Sequence, residues 1–385
     1  MERIIRRICV VLVIDDLGYG GTERQVIELA NNLDPDQFDV HVCSLSDHVP
    51  LSSKLRDAGH RLHVINKAHR LDPIIILRLA HLLRTLKADI VHGYHFGTEI
   101  ICRLAGRMAR TPLVVGSERN ANCPIRKDHI LVLKLTRRCV DIIVANSNSG
   151  AESNARIFRR PQSDYRVVHN GVDTERFRPM DGSKIRQELG IPIQCPVVGA
   201  FANFKKQKNH PMLFRAFNLV LQSFPDARLL LVGDQPVDIK GSFDGYRAQL
   251  DHLIDDLEIR HRCIFLGHQK NVERIYSACD ITVLSSFHEG TPNVLLESMA
   301  CGVPVVATNV CDNAYIVKDG EVGHLVAVGD EAAMANRMEL LLSKTALRQE
   351  MGRKARSWVA GEFSTKRLAE KMESVYMEFL KAKSK

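Results

Sequence analysis

Ser285-Ser-Phe-His-Glu-Gly-Thr-Pro-Asn-Val-Leu-Leu-Glu-Ser-Met-Ala-Cys-Gly-Val-Pro-Val-Val-Ala307 follows the short apolar run Ile281–Leu284. A strand ends near Ser285, a Gly/Pro loop follows, and Pro292 suits the first position of a helix over Asn293–Ala300. Val303–Ala307 reads as the next strand. Strand, helix and strand in succession build a parallel sheet, and ligands of open α/β sheets collect at the strand ends. The unpaired amides of the helix start and the helix dipole favour an anion, so a diphosphate can bind there without a metal. Glu289 lies in the loop, and Glu297 sits about 6 Å along the axis from Asn293 at the helical rise per residue. Carboxylates repel phosphate but accept hydrogen bonds from hydroxyl groups. A sugar nucleotide offers such hydroxyls on both sides of its diphosphate, on the ribose and on the hexose.

The same alternation extends outward in both directions. Upstream, Pro196–Ala200, Arg228–Val232 and Cys263–Leu266 read as strands, with helices at Pro211–Gln222, Tyr246–Asp256 and Val272–Cys279. Asn170-Gly, Pro179, Gly182 and Pro192 interrupt the pattern and mark a linker. Before it, strands are expected at Ile8–Ile14, Val40–Leu45, Leu62–Ile65, Ile90–His92, Leu113–Gly116, Ile142–Ala145 and Tyr165–His169. Helices are expected at Thr22–Leu33, Pro73–Leu86, Thr98–Met108 and His129–Cys139. After Leu342 the chain reads as helical, with Leu368, Met372, Val375, Tyr376 and Leu380 near helical spacing. The expectation is therefore two doubly wound Rossmann-like domains, over residues 1–178 and 179–362, and a C-terminal helix over 363–385.

Composition agrees with a folded protein: 45% of the 385 residues are apolar and 25% charged. No apolar run is long enough to span a bilayer, and Ile8–Ile14 runs into Asp15-Asp16 as a first strand does, not a leader. Ten scattered cysteines without a C-x-x-C pair suggest reduced thiols and a cytoplasmic setting. The sixteen histidines suggest no metal site; His92 and His95 are the nearest to a pair. The net charge of +8 is uneven, with 27 Lys and Arg against 20 Asp and Glu in residues 1–178, and 26 against 25 beyond. The first half is thus expected to meet an anionic partner. Aromatics at 6% are sparse for nucleic-acid binding, and none is expected.

Two further segments carry candidate chemistry. Ala202-Asn-Phe-Lys-Lys-Gln-Lys-Asn-His places Lys205, Lys206 and Lys208 at a strand end of the second sheet, and lysine suits phosphate as a point charge. Asp15-Asp-Leu-Gly-Tyr-Gly-Gly-Thr-Glu opens the first helix, but Gly18, Gly20 and Gly21 are too close together for a G-x-G-x-x-G dinucleotide loop. Its glycines still let backbone approach a ligand.

Together these segments resemble the retaining family 4 glycosyltransferases of the GT-B fold, over nearly the whole chain. The most specific part is the E-x7-E region Glu289–Glu297 with the Ser-Met-Ala-Cys-Gly-Val-Pro-Val-Val-Ala-Thr that follows. Supporting segments are Gly20-Gly-Thr-Glu, Asp89-Ile-Val-His-Gly-Tyr-His, Val115-Gly-Ser-Glu-Arg-Asn, His169-Asn-Gly-Val-Asp, Gln207-Lys-Asn-His, Leu231-Val-Gly-Asp and Phe265-Leu-Gly. The resemblance implies two domains facing across a cleft, with the C-terminal helix packing back on the first. It also implies transfer of a hexosyl group from a nucleotide sugar to a glycan or lipid-linked acceptor, without a cofactor or metal, in cell-surface polysaccharide or glycolipid synthesis.

By the same resemblance Glu297 holds the ribose, Glu289 contacts the transferred sugar, and the amides of Gly290, Thr291, Asn293, Val294 and Leu295 meet the diphosphate with Lys208. Gly20 and Gly21 approach the donor from the first domain, and His268 and Gln269 lie near the nucleobase. Three positions depart from the pattern. Ala202-Asn203 replaces a Gly-Arg pair, so Lys205 is expected to supply the missing charge. Arg119 stands where many members have a histidine near the sugar, and Cys311-Asp312 and Tyr315 replace a Gly-Gly and a glutamate. Catalytic roles are expected for Glu289, Lys208 and Arg119. A GT-B epimerase or phosphorylase, or a non-catalytic binder of nucleotide sugar or nucleic acid, is the alternative.

The basic first half suggests peripheral attachment to an anionic membrane on its inner face. Arg78, His81, Arg84 and Lys87 would carry it, together with Arg126, Lys127, Lys134, Arg137 and Arg138.

Overall fold

The computed structural model describes residues 6–68, 72–119, 127–234 and 245–383. Residues up to Gly171, with those from Thr365 onward, form one unit, and Val172–Ser364 form the other. The sequence places the divide at 178/179; the units change over at 171/172, where Val172 donates to Phe363 O at 2.8 Å and pairs with Ser364. Residues 172–178 therefore belong to the second unit.

The first unit runs β1 (Ile8–Ile14), α1 (Gly21–Asn32), β2 (Phe38–Ser44), α2 (Ala58–Arg61), β3 (Leu62–Val64), α3 (Ile74–Thr85), β4 (Ile90–Gly93), α4 (Phe96–Ala109), β5 (Leu113–Glu118), α5 (Lys127–Leu135), β6 (Ile142–Ala145), α6 (Asn148–Phe158) and β7 (Tyr165–Val167). The strands form one parallel sheet in the order β3-β2-β1-β4-β5-β6-β7. Parallel sheets are covered on both faces, which is why β1 is apolar without alternation and buried from Cys9 to Ile14.

The second unit continues with α7 (Ser183–Glu188), β8 (Val197–Phe201), α8 (His210–Ser223), β9 (Arg228–Val232), α9 (Tyr246–Asp256), β10 (Cys263–Gly267), α10 (Val272–Tyr276), β11 (Ile281–Leu284), α11 (Asn293–Ala300), β12 (Val305–Thr308), α12 (Asn313–Ile316), β13 (Gly323–Val326), α13 (Glu331–Ser343) and α14 (Thr345–Glu362). Its parallel sheet has the order β10-β9-β8-β11-β12-β13. The last helix, α15 (Thr365–Lys383), returns to the first unit and buries Leu368, Ala369, Met372, Val375 and Tyr376 in the core beside α1.

Several elements differ from the sequence reading. The helix expected over His129–Cys139 is α5, ending at Leu135, followed by a separate 3-10 turn over Arg137–Cys139. The helix α6 was not anticipated, because its buried face is made of Gly150, Ala151, Asn154 and Ala155; its signal is Ser147, whose side chain accepts from Gly150 N. Likewise β13 and α13 fill a stretch without an assigned element, and Asp330 caps α13 by accepting from Ala333 N.

Candidate functional site

In the second unit the chain runs from β8 outward through β9 to β10, then returns to place β11 on the other side of β8. Such a reversal of strand order opens a crevice at the carboxyl ends of the two strands concerned. Residues 202–209 leave β8 and residues 285–292 leave β11. The two loops are joined: Phe287 N donates to Gln207 O at 2.9 Å, and Gln207 Nε2 to His288 O at 2.8 Å. Ser285 Oγ lies 2.9 Å and 3.0 Å from the carbonyls of Lys208 and Asn209.

Within this frame Lys208 Nζ lies 2.6 Å from Glu289 Oε1, and Ser286 Oγ donates to the same oxygen at 2.6 Å. Glu289 is buried, and pairing is what makes a buried carboxylate tolerable. Asn209 takes a left-handed φ of 49° that turns the chain into α8, a conformation asparagine adopts readily. The next residue, His210, is buried; its pKa falls to about 4 because burial disfavours the imidazolium and Lys208 adds a like charge.

The helix α11 starts at Asn293, and its N-cap residue, Pro292, has no side chain able to cap it. One turn in, the buried Glu297 accepts a 2.9 Å hydrogen bond on Oε2 from the Tyr276 hydroxyl. Burial and then the Glu297 charge push the Tyr276 pKa well above its ordinary value, so this tyrosine stays a donor. Phe201 stacks on its ring with centroids 3.8 Å apart.

The other expected donor contacts fall around this crevice unevenly. Gly290 is half-buried and Thr291 buried, both ahead of the helix. Val294 packs against the core, and Leu295 is 1% exposed within it. Leu295 N donates to Pro292 O at 3.2 Å within the first turn. Asn203 and Lys205 are exposed at the end of β8, and Asn203 Oδ1 accepts from Asp234 N at 3.1 Å. Gln269 follows β10 and donates to Leu266 O.

Comparison with known proteins decides the identity. The family model described as Glycosyl transferases group 1 matches residues 181–358, and that described as Glycosyltransferase Family 4 matches residues 19–176. The chain belongs to glycosyltransferase family 4. The N-acetyl-alpha-D-glucosaminyl L-malate synthase of Bacillus anthracis is 31% identical over 63% of this chain and 60% of that protein, so the match spans less than two thirds of that relative. The UDP-Gal:alpha-D-GlcNAc-diphosphoundecaprenol alpha-1,3-galactosyltransferase of Escherichia coli is 25% identical over 94% of each. Anabaena Alr3699/HepE, solved with UDP and glucose, superposes with a TM-score of 0.85 at 21% identity, covering 97% of this chain and 100% of that one. At that identity the likeness shows the fold, GT-B.

The remaining expected residues of this glycosyltransferase lie in the first unit, which has its own reversal of strand order between β1 and β4. Gly20 is the N-cap of α1 and Gly21 its first residue. A Cβ on Gly20 would lie 1.9 Å from Glu23 Oε2, so only glycine lets that carboxylate fold back over the loop. Burial foremost raises the Glu23 pKa. Arg119 follows β5; its Nη1 donates to Asn170 Oδ1 at 3.2 Å, and its guanidinium lies over the Tyr94 ring at 4.8 Å.

Sequence reasoning missed the cluster at this reversal. Asp15 Oδ1 accepts from Lys67 Nζ at 2.5 Å and from Thr98 Oγ1 at 2.7 Å. His95 lies 3.9 Å from Asp15 Oδ2 and 3.7 Å from Glu23 Oε1, and it holds a φ of 68°. A positive φ away from glycine is strained and recurs at functional sites. Three separate segments supply these residues, Asp15 with Glu23, Lys67, and His95 with Thr98, so no local spacing announces them as a group. His92 is instead structural: it is buried between Tyr376 and Ser117, each 2.7 Å away, and burial holds its pKa well below the ordinary value. Among the described residues no group of three or more His, Cys, Asp or Glu is placed to hold a metal ion.

Proposed function

We propose that this glycosyltransferase moves a hexosyl group from a nucleoside diphosphate sugar to a hydroxyl of a glycan or lipid-linked acceptor, with retention at the transferred carbon. The observation that carries the reading is the Lys208–Glu289 pair at 2.6 Å in the loops that lead to the start of α11. Anion and hydroxyl recognition are thereby offered at one strand-order reversal. Lys208 and the first-turn amides take the diphosphate, with Lys205 and Asn203 at the rim and Gln269 toward the base. Glu289 takes hydroxyls of the sugar and Glu297 those of the ribose, with Tyr276 orienting Glu297.

As the glycosidic bond breaks, negative charge grows on the departing nucleoside diphosphate and positive charge on the sugar ring. Lys208 and the helix start stabilise the first, and Glu289 the second. Arg119 offers donors and no acceptor, so its part is electrostatic. Gly20 and Gly21 contribute backbone contact. A cofactor or resident metal has no part in this scheme. The lipid-linked acceptor is supported by the name of the Escherichia coli relative, and a uridine nucleotide by the ligand of Alr3699/HepE.

The test is a thermal-shift screen of UDP-, GDP- and ADP-sugars, followed by product analysis with and without acceptor. Stabilisation by one donor and a glycosylated product support the proposal. Epimerised or phosphorolysed donor without acceptor, or binding without turnover, overturns it.

Attachment to an anionic membrane on its cytoplasmic side is the second part of the proposal. On α3, Ile75, Leu79 and Leu83 are buried while Arg78, His81 and Arg84 are exposed beside Ile74 and Leu77. Lys134, Arg137 and Arg138 are also exposed, whereas Arg126 and the Lys127 side chain lie outside the described residues. No described helix is long and apolar enough to cross a membrane. Flotation with anionic vesicles, lost at high salt, is expected; flotation independent of lipid charge and salt overturns this part.

A further inference from the structure

The first unit holds a recess between α4, α5, α6 and the strands β5 to β7, of about 400 Å³ with its open mouth included, whose exposed lining is mostly apolar around a few buried polar groups. Three side chains on its wall carry buried polar atoms with no hydrogen-bond partner: Arg103 Nε, Tyr165 OH and Asn154 Oδ1. Their residues are 2%, 5% and 3% exposed. Leaving such groups unpaired is costly, so something absent from the polypeptide is expected to meet them. The missing partner must accept from a guanidinium N–H and a phenol and donate to an amide oxygen.

The charge of the recess narrows the choice. Arg103, Lys134, Arg137 and Arg160 line it together with Glu99 and Glu118. Glu99 forms a buried pair with Arg103, and Asp164 accepts from Arg160 Nε at 2.9 Å. Four cations against three carboxylates leave the recess cationic. We infer that it binds a phosphate group that carries a hydroxyl, either its own P–OH or one on its ester. Free hydrogen phosphate and a phosphatidylglycerol headgroup share that chemistry. Its anionic oxygens would face Arg103 and Tyr165 and its hydroxyl Asn154, with Lys134 and Arg137 at the mouth. On the same helix as Lys134, Leu131 and Leu135 are 58% and 74% exposed, which would suit an acyl chain. This site is separate from the α11 crevice and does not rest on the donor assignment.

The experiment measures calorimetric binding and thermal shift with inorganic phosphate, with phosphatidylglycerol vesicles and with phosphatidylcholine vesicles. It uses the full chain, Tyr165→Phe, and the double variant Lys134→Ala with Arg137→Ala. Tyr165→Phe removes an unpartnered hydroxyl and should fold unaided; the double variant changes exposed residues only. Phosphate binding is expected to weaken about tenfold in Tyr165→Phe and more in the double variant. If phosphatidylglycerol but not phosphatidylcholine is bound, with the same loss in both variants, the source is a lipid headgroup. Absence of binding by either anion, or equal binding in all three proteins, overturns the site and leaves water as the occupant.

Discussion

Lys208 Nζ and Glu289 Oε1 are 2.6 Å apart, and Ser286 Oγ adds a second donor to the same oxygen. The cation proposed for the diphosphate is thus held by the carboxylate proposed for the sugar. A donor entering the crevice must share or displace this contact. A pair made before binding also keeps Glu289 from being a lone buried charge.

Lys208→Ala is therefore expected to lower kcat by about two to three orders of magnitude, more than it raises the donor KM, because the charge it meets grows on the leaving group. Steady-state kinetics with varied donor checks this. A change in KM alone would make the lysine a uniform binder.

Tyr276→Phe removes the hydroxyl that donates to the buried Glu297. Stability is expected to fall by about 1.5 to 3 kcal/mol, since the lost bond is to a charged group. The donor KM should rise while kcat changes little, because the ribose does not react. Urea unfolding and donor titration read the two effects separately.

For His210 the sign follows from its folded pKa of about 4, below the ordinary 6.5. Above pH 6.5 the imidazole is neutral in both states and costs nothing. As pH falls from 6.5 toward 4 the unfolded chain takes up the proton first, and stability is lost, by about 3 kcal/mol at most. A His210→Gln variant should show a shallower fall over this window. Equal slopes would mean that other groups carry the whole dependence, His92 among them.

Gly116→Ala would place a Cβ 2.2 Å from Glu99 Oε1, against the buried pair that Glu99 makes with Arg103. A loss of about 3 kcal/mol or more is expected if the pair breaks. Gly97→Ala, with nothing within 4 Å of the added Cβ, is the control and should be nearly neutral.

Strands such as Ile281–Leu284 and Ile8–Ile14 were legible because both faces are buried, which leaves unbroken apolar runs. Glu289 and Lys208 were legible as residues in loops at strand ends, but not as partners of each other. The Tyr276–Glu297 and Gln207–His288 contacts join segments distant in the chain, and nothing in the spacing of either segment encodes its partner. Asp15, Lys67, His95 and Thr98 meet for the same reason. A short helix between two strands turns one side to the core, as the buried Leu295 and Leu296 show, and the periodicity of eight residues is too brief to mark that side in advance.

Helix α15 completes the first unit from the far end of the chain. During synthesis the stretch up to Gly171 is made well before Leu368, Met372 and Tyr376 exist to cover α1. All of Val172–Ser364 is made in between as one uninterrupted stretch. The second unit can therefore finish folding while the first still exposes apolar surface, and the first closes only once α15 has been made. Removing that helix is expected to leave an aggregation-prone chain in which residues 172–364 stay folded, and limited proteolysis of the truncated chain checks this.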